Sequence, residues 1–522
     1  MRPIHLCLPS LALATTSLFS AAQASAQSSG QAVSSTASEA RATRAYQAAL
    51  HQGPEALQGF LANFPKGADL HVHLSGAVYA ESFIRAAGED GLCVDPAALK
   101  FVKSPCEAAL LPASELPHHQ ELYDRLVDAF SLRSFVPTAG WSGHDQFFAT
   151  FDRFGGLGKK HAGEWVDEVA SRAAAQNQQY LELMQTPVFT HAVQSAHEIG
   201  WNPDFAQMRQ ALLDHGLRDE VAADREDVCT AEAQRLQIEH CETPQAAPAC
   251  RVEVRYIYQI LREHPPEWVF AQTLLGFETI QTSIDAHEPT WVGINFVQPE
   301  DGFISMRDYT LHMKMVEYLH SVYPQVHITL HAGELALGLV PPEGLRFHIR
   351  QAVELGHAER IGHGVDVMFE DNAQALLKEM AQKHVMVEVN LSSNEGILGV
   401  KGIDHPFPLY LEAHVPVAFS TDDEGVSRID ITHEYVRAAN DYHLRYRQLK
   451  DLARTGMEHN FLPGDSLWAA KDSFTAPASA CKGQPLGAEK PASACTAFLK
   501  SSEKAAAQWE LERRFRAFEA SF

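Results

Sequence analysis

The sequence predicts an α/β protein, a TIM-type (β/α)8 barrel with an N-terminal helical arm, insertions and a C-terminal helical tail, and three observations carry that expectation. Eight short apolar and β-branched runs alternate with helical patterns between about 64 and 446. Histidines and acids recur at the C-terminal ends of several runs, the face on which such barrels carry their chemistry. The chain has 522 residues, 45% hydrophobic and 21% charged, enough to bury one large core.

Residues 1–26 read as an export signal, with Arg2, an apolar stretch from Leu6 to Ala22 and Ala24-Ser25-Ala26 as the cleavage site. Pro9 and the interspersed Ser and Thr make that stretch too polar for a comfortable membrane span. The mature chain is therefore expected to be periplasmic or secreted, with no membrane partner. A polar linker at 28–38 and an amphipathic helix at 39–63 would form the arm. Strands are expected at 68–74, 180–186, 252–260, 291–297, 327–331, 360–367, 386–391 and 415–421. Helices are expected at 77–87, 205–215, 267–282, 306–323, 344–355, 372–383 and 431–442. Prolines and the aromatic-rich WSGHDQFFATFDRFGG interrupt the pattern at 88–158, which reads as an insertion near the mouth of the barrel. The charged stretch 217–250 reads as a second, irregular surface insertion. The tail at 447–522 closes with a helix near 502–522 and is expected on the outside of the barrel.

A formal net charge of −24 and the lack of a sustained basic run argue against nucleic acid as a ligand, because polyanion binding draws on Lys and Arg. No C-x-x-C occurs, which disfavours a thiolate zinc site. In an oxidising compartment the cysteines are expected to pair. The duplicated Pro-Ala-Ser-Ala-Cys points to Cys481 with Cys495, then Cys93 with Cys106; the group Cys229, Cys241 and Cys250 leaves one over.

The candidate chemistry begins at His71 and His73, which alternate onto one face of the first strand. A lone His-x-His is more often core than ligand. Three later stretches change that balance: His331-Ala332-Gly333-Glu334, the Arg360-Ile361-Gly362-His363-Gly364 run, and Ser420-Thr421-Asp422-Asp423.

Taken together, HVHLSGA, HAGE, RIGHG and STDDEG, in this order between about 66 and 428, resemble the adenosine deaminase family of metal-dependent amidohydrolase barrels. The export signal makes the chain similar to the exported branch of that family. The resemblance implies one Zn²⁺ per chain held by His71, His73, His331 and Asp422, a donor set suited to a borderline cation. It implies Glu334 as the acid for purine N1, His363 as the group orienting the attacking water, and Asp423 as a donor to N7. Ser75, Gln298, Gly333 and Asp423 fall at its substrate contacts. Two positions depart from the family pattern. Ser75 stands where an Asp is expected to hold the ribose 5′-hydroxyl, and Asn295-Phe296-Val297-Gln298-Pro299-Glu300 replaces D-L-A/V-G-x-E, with Gln298 in place of a glycine. The implied activity is hydrolysis of adenosine or 2′-deoxyadenosine, a purine nucleoside, to the inosine analogue and ammonia. The alternatives are an aminohydrolase for adenine or another 6-amino heterocycle, and a secreted binding or signalling protein that retains the pocket.

Overall fold

In the computed structural model, which describes residues 28–288 and 290–522, eight parallel strands stand in sequence order around a barrel. We label them β1 (Gly67–His73), β2 (Gln178–Gln185), β3 (Glu253–Leu261), β4 (Trp291–Val297), β5 (His327–Ala332), β6 (Arg360–His363), β7 (Met386–Val389) and β8 (Val417–Phe419). Every residue of β1 and β4 is buried, as expected for parallel strands covered by helices on one side and by the barrel core on the other. Each barrel strand matches one expected run. β6 and β8 end short of the expected limits, at His363 and Phe419, and His363 (φ +70°) and, beyond β8, Asp422 (φ +60°) adopt left-handed backbone where the strands give way to loops.

β8 returns to β1 through a parallel bridge at Val72 and Asp422. Asp422 N donates to His71 O and His73 N donates to Asp422 O, both at 2.9 Å. Asp69 reinforces this seam by accepting from Thr421 N and Oγ1, at 3.1 and 2.8 Å.

The expected linker at 28–38 is helical instead, as part of Ser28–Gln52. The expected single helix at 39–63 is divided, because Gly53 takes φ +105° and Pro54 opens a new helix, Pro54–Ala62. The export signal expected at 1–26 lies outside the described residues. Residues 88–158 form a small antiparallel sheet (Cys93–Asp95, Lys100–Val102, Leu111–Pro112) and two helices, Gln120–Ala129 and Gly143–Phe151, around an apolar core of their own. The second helix lies so close to Leu391–Leu398, which follows β7, that a Cβ on Gly143 would stand 1.8 Å from Gly396 O. His144 Nε2 reaches Asp301 past β4 at 2.9 Å, and Leu132 N donates to Val426 O past β8 at 2.7 Å. This layer therefore ties together three loops at the mouth.

The stretch 217–250, expected to be irregular, contains the helix Val221–Ile238. Its buried face carries Asp224, which accepts from Tyr258 Oη at 2.8 Å, and Arg235, paired with Glu239 at 3.0 Å. Those polar residues break the apolar period from which a helix is read.

The tail does more than cover the outside. Tyr446–Glu458 packs against β1 and β8, and the chain then enters the N-terminal end of the barrel. There Phe461 packs with Met184, Ile257 and Val292, its N–H donates to Glu182 Oε1 at 2.7 Å, and the Arg360 guanidinium lies 3.8 Å from its ring centroid. Glu503–Ala520 packs behind it. Among the described residues no helix is long and apolar enough to cross a membrane.

The pairs Cys93–Cys106 and Cys481–Cys495 form as expected, and Cys241 pairs with Cys250. Cys481 and Cys495 are 14 residues apart and sit in a buried cluster with Leu467 and Trp509, remote from the strand ends. Closing a loop of this size stabilises by about 3 kcal/mol in the chain-entropy model. Replacing both cysteines by Ser should lower the stability measured by denaturant unfolding by about that amount and leave turnover unchanged; equal stability would remove the bridge from the account.

Candidate metal centre

The seam that closes the barrel also assembles the site. Asp69, His71 and His73 share the inner face of β1, His331 stands near the end of β5, His363 ends β6, and Asp422 follows β8. The left-handed turn at Asp422 completes the ladder with β1 and brings its carboxylate over the histidines: Oδ1 lies 3.4 Å from His71 Nε2 and 3.3 Å from His73 Nε2. His73 Nε2 is 3.2 Å from His331 Nε2. His363 Nε2 approaches Asp422 Oδ2 at 3.8 Å. One ligand atom each from His71, His331, His363 and Asp422 fall within 4.8 Å of one another.

The outer nitrogens of these rings are held. His71 Nδ1 bonds Glu388 Oε2 at 2.6 Å, His331 Nδ1 bonds Asn295 Oδ1 at 2.9 Å, and the Gln259 carboxamide lies 2.5 Å from His73 Nδ1. Asp422 Oδ2 accepts from Ser393 Oγ at 2.6 Å. Glu388 is itself steadied by Arg360, whose Nε donates at 2.6 Å, and by Thr329 at 3.0 Å. His71 Nε2 is fully buried with no hydrogen-bond partner in the protein. An orphaned imidazole nitrogen facing two more imidazoles and a carboxylate, at separations of 3.2–3.4 Å, fits a divalent cation: ligands about 2.0–2.2 Å from one ion in a tetrahedral set stand roughly 3.4 Å apart.

Electrostatics divide the surrounding acids. Burial opposes ionisation of Asp422, but the close approach of the His71, His73 and His363 rings outweighs it and holds the carboxyl well below the usual range. Burial, reinforced by Asp422 and Glu300, holds Glu334 well above that range. Burial together with the adjacent Asp422 does the same for Asp423, whose Oδ1 is buried without a partner. The three neighbouring carboxyls are thus pushed apart, Asp422 toward the ionised form and Glu334 and Asp423 toward the protonated form. Burial lowers His363 to about 3 and His405 behind it to about 3, so both rings are neutral near pH 7.

A sequence model of the adenosine deaminase family matches residues 164–474, more than half of the chain. The chain belongs to the adenosine deaminase family. An adenosine deaminase from Salmonella schwarzengrund (strain CVM19633) is 40% identical over 151 residues, covering 29% of this chain and 42% of the relative. One from Escherichia coli (strain SMS-3-5 / SECEC) is 38% identical over the same shares. The chain thus spans less than half the length of the curated relatives it matches. In fold it resembles the apo N6-methyl-AMP deaminase of Arabidopsis thaliana, with a TM-score of 0.50 at 19% identity over 78% of this chain and 94% of that one.

In this adenosine deaminase family member His71, His73, His331, His363, Asp422, Asp423 and Glu334 gather at one end of the barrel. Ser75 is exposed, on the short helix Leu74–Ala77 after β1. Gly333 brings no free amide, since its N–H donates to Glu300 Oε1 at 2.9 Å. Gln298 takes φ +82°, and its side-chain oxygen is engaged by Glu263 N at 2.8 Å. Sequence reasoning passed over Glu300 as a role-bearing residue. It accepts from the amides of Gly333 and Glu334 and bonds His348 Nδ1 at 2.6 Å, which fixes the turn carrying Glu334. Burial would raise Glu300, yet its bond with His348 outweighs burial and the carboxyl is lowered to about 2. Glu388 and Asn394 were equally hidden, because no local pattern marks a residue that supports another from a distant strand.

Two predictions test the geometry. A Cβ on Gly76 would lie 1.4 Å from Asp423 Oδ1, so Gly76→Ala must push that carboxyl aside. Displacement by about 1 Å can cost roughly 100-fold in rate; kcat should fall by that order with metal content unchanged, and an unaltered kcat would contradict the placement of Asp423. Metal removal by a chelator should abolish the turnover proposed below while far-ultraviolet circular dichroism stays near native, because the barrel core supplies most of the stability. Full activity after complete removal of metal would refute the reading of the cluster.

Proposed function

We propose that the chain is a zinc-dependent aminohydrolase that converts adenosine or 2′-deoxyadenosine and water to inosine or 2′-deoxyinosine and ammonia. The observation that carries this is the buried cluster of His71, His73, His331 and Asp422 with the buried Glu334 carboxyl beside it, which burial pushes toward the protonated form. Zinc suits the donor set; His71, His73, His331 and Asp422 would hold it, and when bound it would supply the Lewis acidity that makes water nucleophilic near neutral pH.

The chain's own groups account for the remaining demands. Attack at C6 builds charge on the ring nitrogen beside it, and Glu334, whose carboxyl burial favours in the protonated form, delivers a proton to N1. Burial and the adjacent Asp422 carboxylate favour the protonated form of Asp423, which donates to N7 and so fixes the face of the purine presented to the water. His363 orients that water from the other side. The family match and its deaminase relatives support the reaction class; the exposed Ser75 leaves the ribose end without the expected carboxylate, and this favours adenine or another 6-amino heterocycle as a second substrate reading.

Nucleoside is favoured over nucleotide. Arg172 pairs with Glu424 at 2.7 Å, Arg428 with Glu81 at 2.6 Å and Arg437 with Glu395 at 2.6 Å, so these guanidiniums around the mouth are already engaged. The net charge of −24 also disfavours approach of a phosphate monoester. Export to an oxidising compartment is part of the proposal, supported by the signal-like sequence pattern of residues 1–26 and by three disulfides among the described residues.

The decisive assay is loss of ultraviolet absorbance when the zinc-loaded protein meets a panel of aminopurines. Adenosine or 2′-deoxyadenosine should give kcat/KM well above AMP, with the gap narrowing at high salt as screening removes the repulsion; preference for AMP would overturn the nucleoside reading, and preference for adenine would establish the second one. Glu334→Gln should keep zinc and lose several orders of magnitude in kcat, since only the proton donor is removed. An ordinary kcat in that variant would assign the acid elsewhere.

A further inference from the structure

Behind His363 runs a hydrogen-bond chain whose direction is fixed at its far end. The backbone N–H of Phe407 can only donate, and it meets His405 Nδ1 at 3.1 Å. Nδ1 of His405 is therefore the acceptor, and the neutral ring carries its hydrogen on Nε2, which lies 3.0 Å from Asn394 Oδ1. With its oxygen committed, Asn394 presents its Nδ2 hydrogens to His363 Nδ1 at 2.9 Å. The amide nitrogen of Asn390 faces the same ring nitrogen at 3.5 Å. His363 Nδ1 is thus an acceptor, and its hydrogen sits on Nε2, which is buried, lacks a protein partner and faces Asp422.

The other three imidazoles are set differently. Glu388 and the oxygen of Asn295 accept from Nδ1 of His71 and His331, which turns Nε2 lone pairs inward. Gln259, behind His73, meets at its far end only the Thr186 hydroxyl, which donates or accepts, so this carboxamide is free to present its oxygen. Asn394 has no such freedom, because a backbone amide pins its partner.

We propose that His405 and Asn394 are positioning residues that lock His363 in the Nε2–H tautomer, making it a hydrogen-bond donor to the attacking water and barring it from serving as a metal ligand. This rests on the cluster being the metal centre of an aminohydrolase. It separates His363 from His71, His331 and Asp422, with which it shares a ligand-like separation.

Asn394→Asp tests the lock, because a carboxylate accepts from both histidines and moves the His363 hydrogen to Nδ1, freeing an Nε2 lone pair. The full-length protein loaded with cobalt(II) should then show altered visible absorption from a fourth nitrogen ligand, undiminished metal affinity, and kcat lowered by about 10³–10⁴, as for an enzyme histidine held in its wrong tautomer. His405→Leu should lower kcat by about 10–100-fold, and His405→Gln, whose amide still donates to Asn394, should restore most of it. Unchanged cobalt bands with ordinary kcat in Asn394→Asp, or equal damage from His405→Leu and His405→Gln, would overturn the proposal by reducing the chain to packing. A wild-type protein that binds neither zinc nor cobalt would overturn the metal-centre reading and the proposal together.

Discussion

The structure depends on one parallel bridge, Val72 to Asp422, through which the last strand meets the first. A barrel of eight strands must close or leave an edge, and here the closing contact is built from the residues that also carry the chemistry. Asp422 adopts φ +60° because that conformation lets its N–H and C=O reach His71 and His73 while its carboxylate turns inward. A β1 strand that paired elsewhere would scatter the histidines, and a β8 strand without the left-handed turn would bring no carboxylate. The close fit of Gly76 against Asp423, and of Gly425 against Val78 O at 2.2 Å to a built Cβ, shows the same seam from the loop side.

Much of this was legible in the chain. The eight runs were readable because each is a short apolar stretch with turn signals, and the site was readable because its ligands sit in compact motifs at strand ends. The limits expected for β6 and β8 ran past His363 and Phe419, because left-handed backbone at His363 and Asp422, which residue type does not announce, turns the chain out of the regular strands. Gly53-Pro54 was in plain view, and the helical pattern running through it concealed the break. The helix Val221–Ile238 was missed because Asp224 and Arg235 occupy its inner face, a choice paid for by Tyr258 and Glu239.

What no local pattern could give is the support behind the motifs. Glu388 stands 317 residues from His71 and Asn394 stands 31 from His363, and their partnership exists only once the barrel is wound. The same holds for Phe461, which the tail inserts into the end of the barrel opposite the chemistry. There Arg360 is shared between Glu182 and Glu388, each at 2.6 Å and fully buried, so the charge that steadies His71 is itself held by the closing segment. Buried ion pairs of this kind are weak sources of stability but strong constraints on geometry once formed.

The account's central claim is that the seam closing the barrel is also what assembles the metal ligands. Native-state hydrogen exchange, compared between metal-free and zinc-loaded protein, reads it directly. Zinc should slow exchange chiefly in peptides spanning Gly67–His73 and the residues that follow β8, where the amides of His73 and Asp422 form the seam. Protection spread evenly over the barrel, or absent from those two segments, would contradict it.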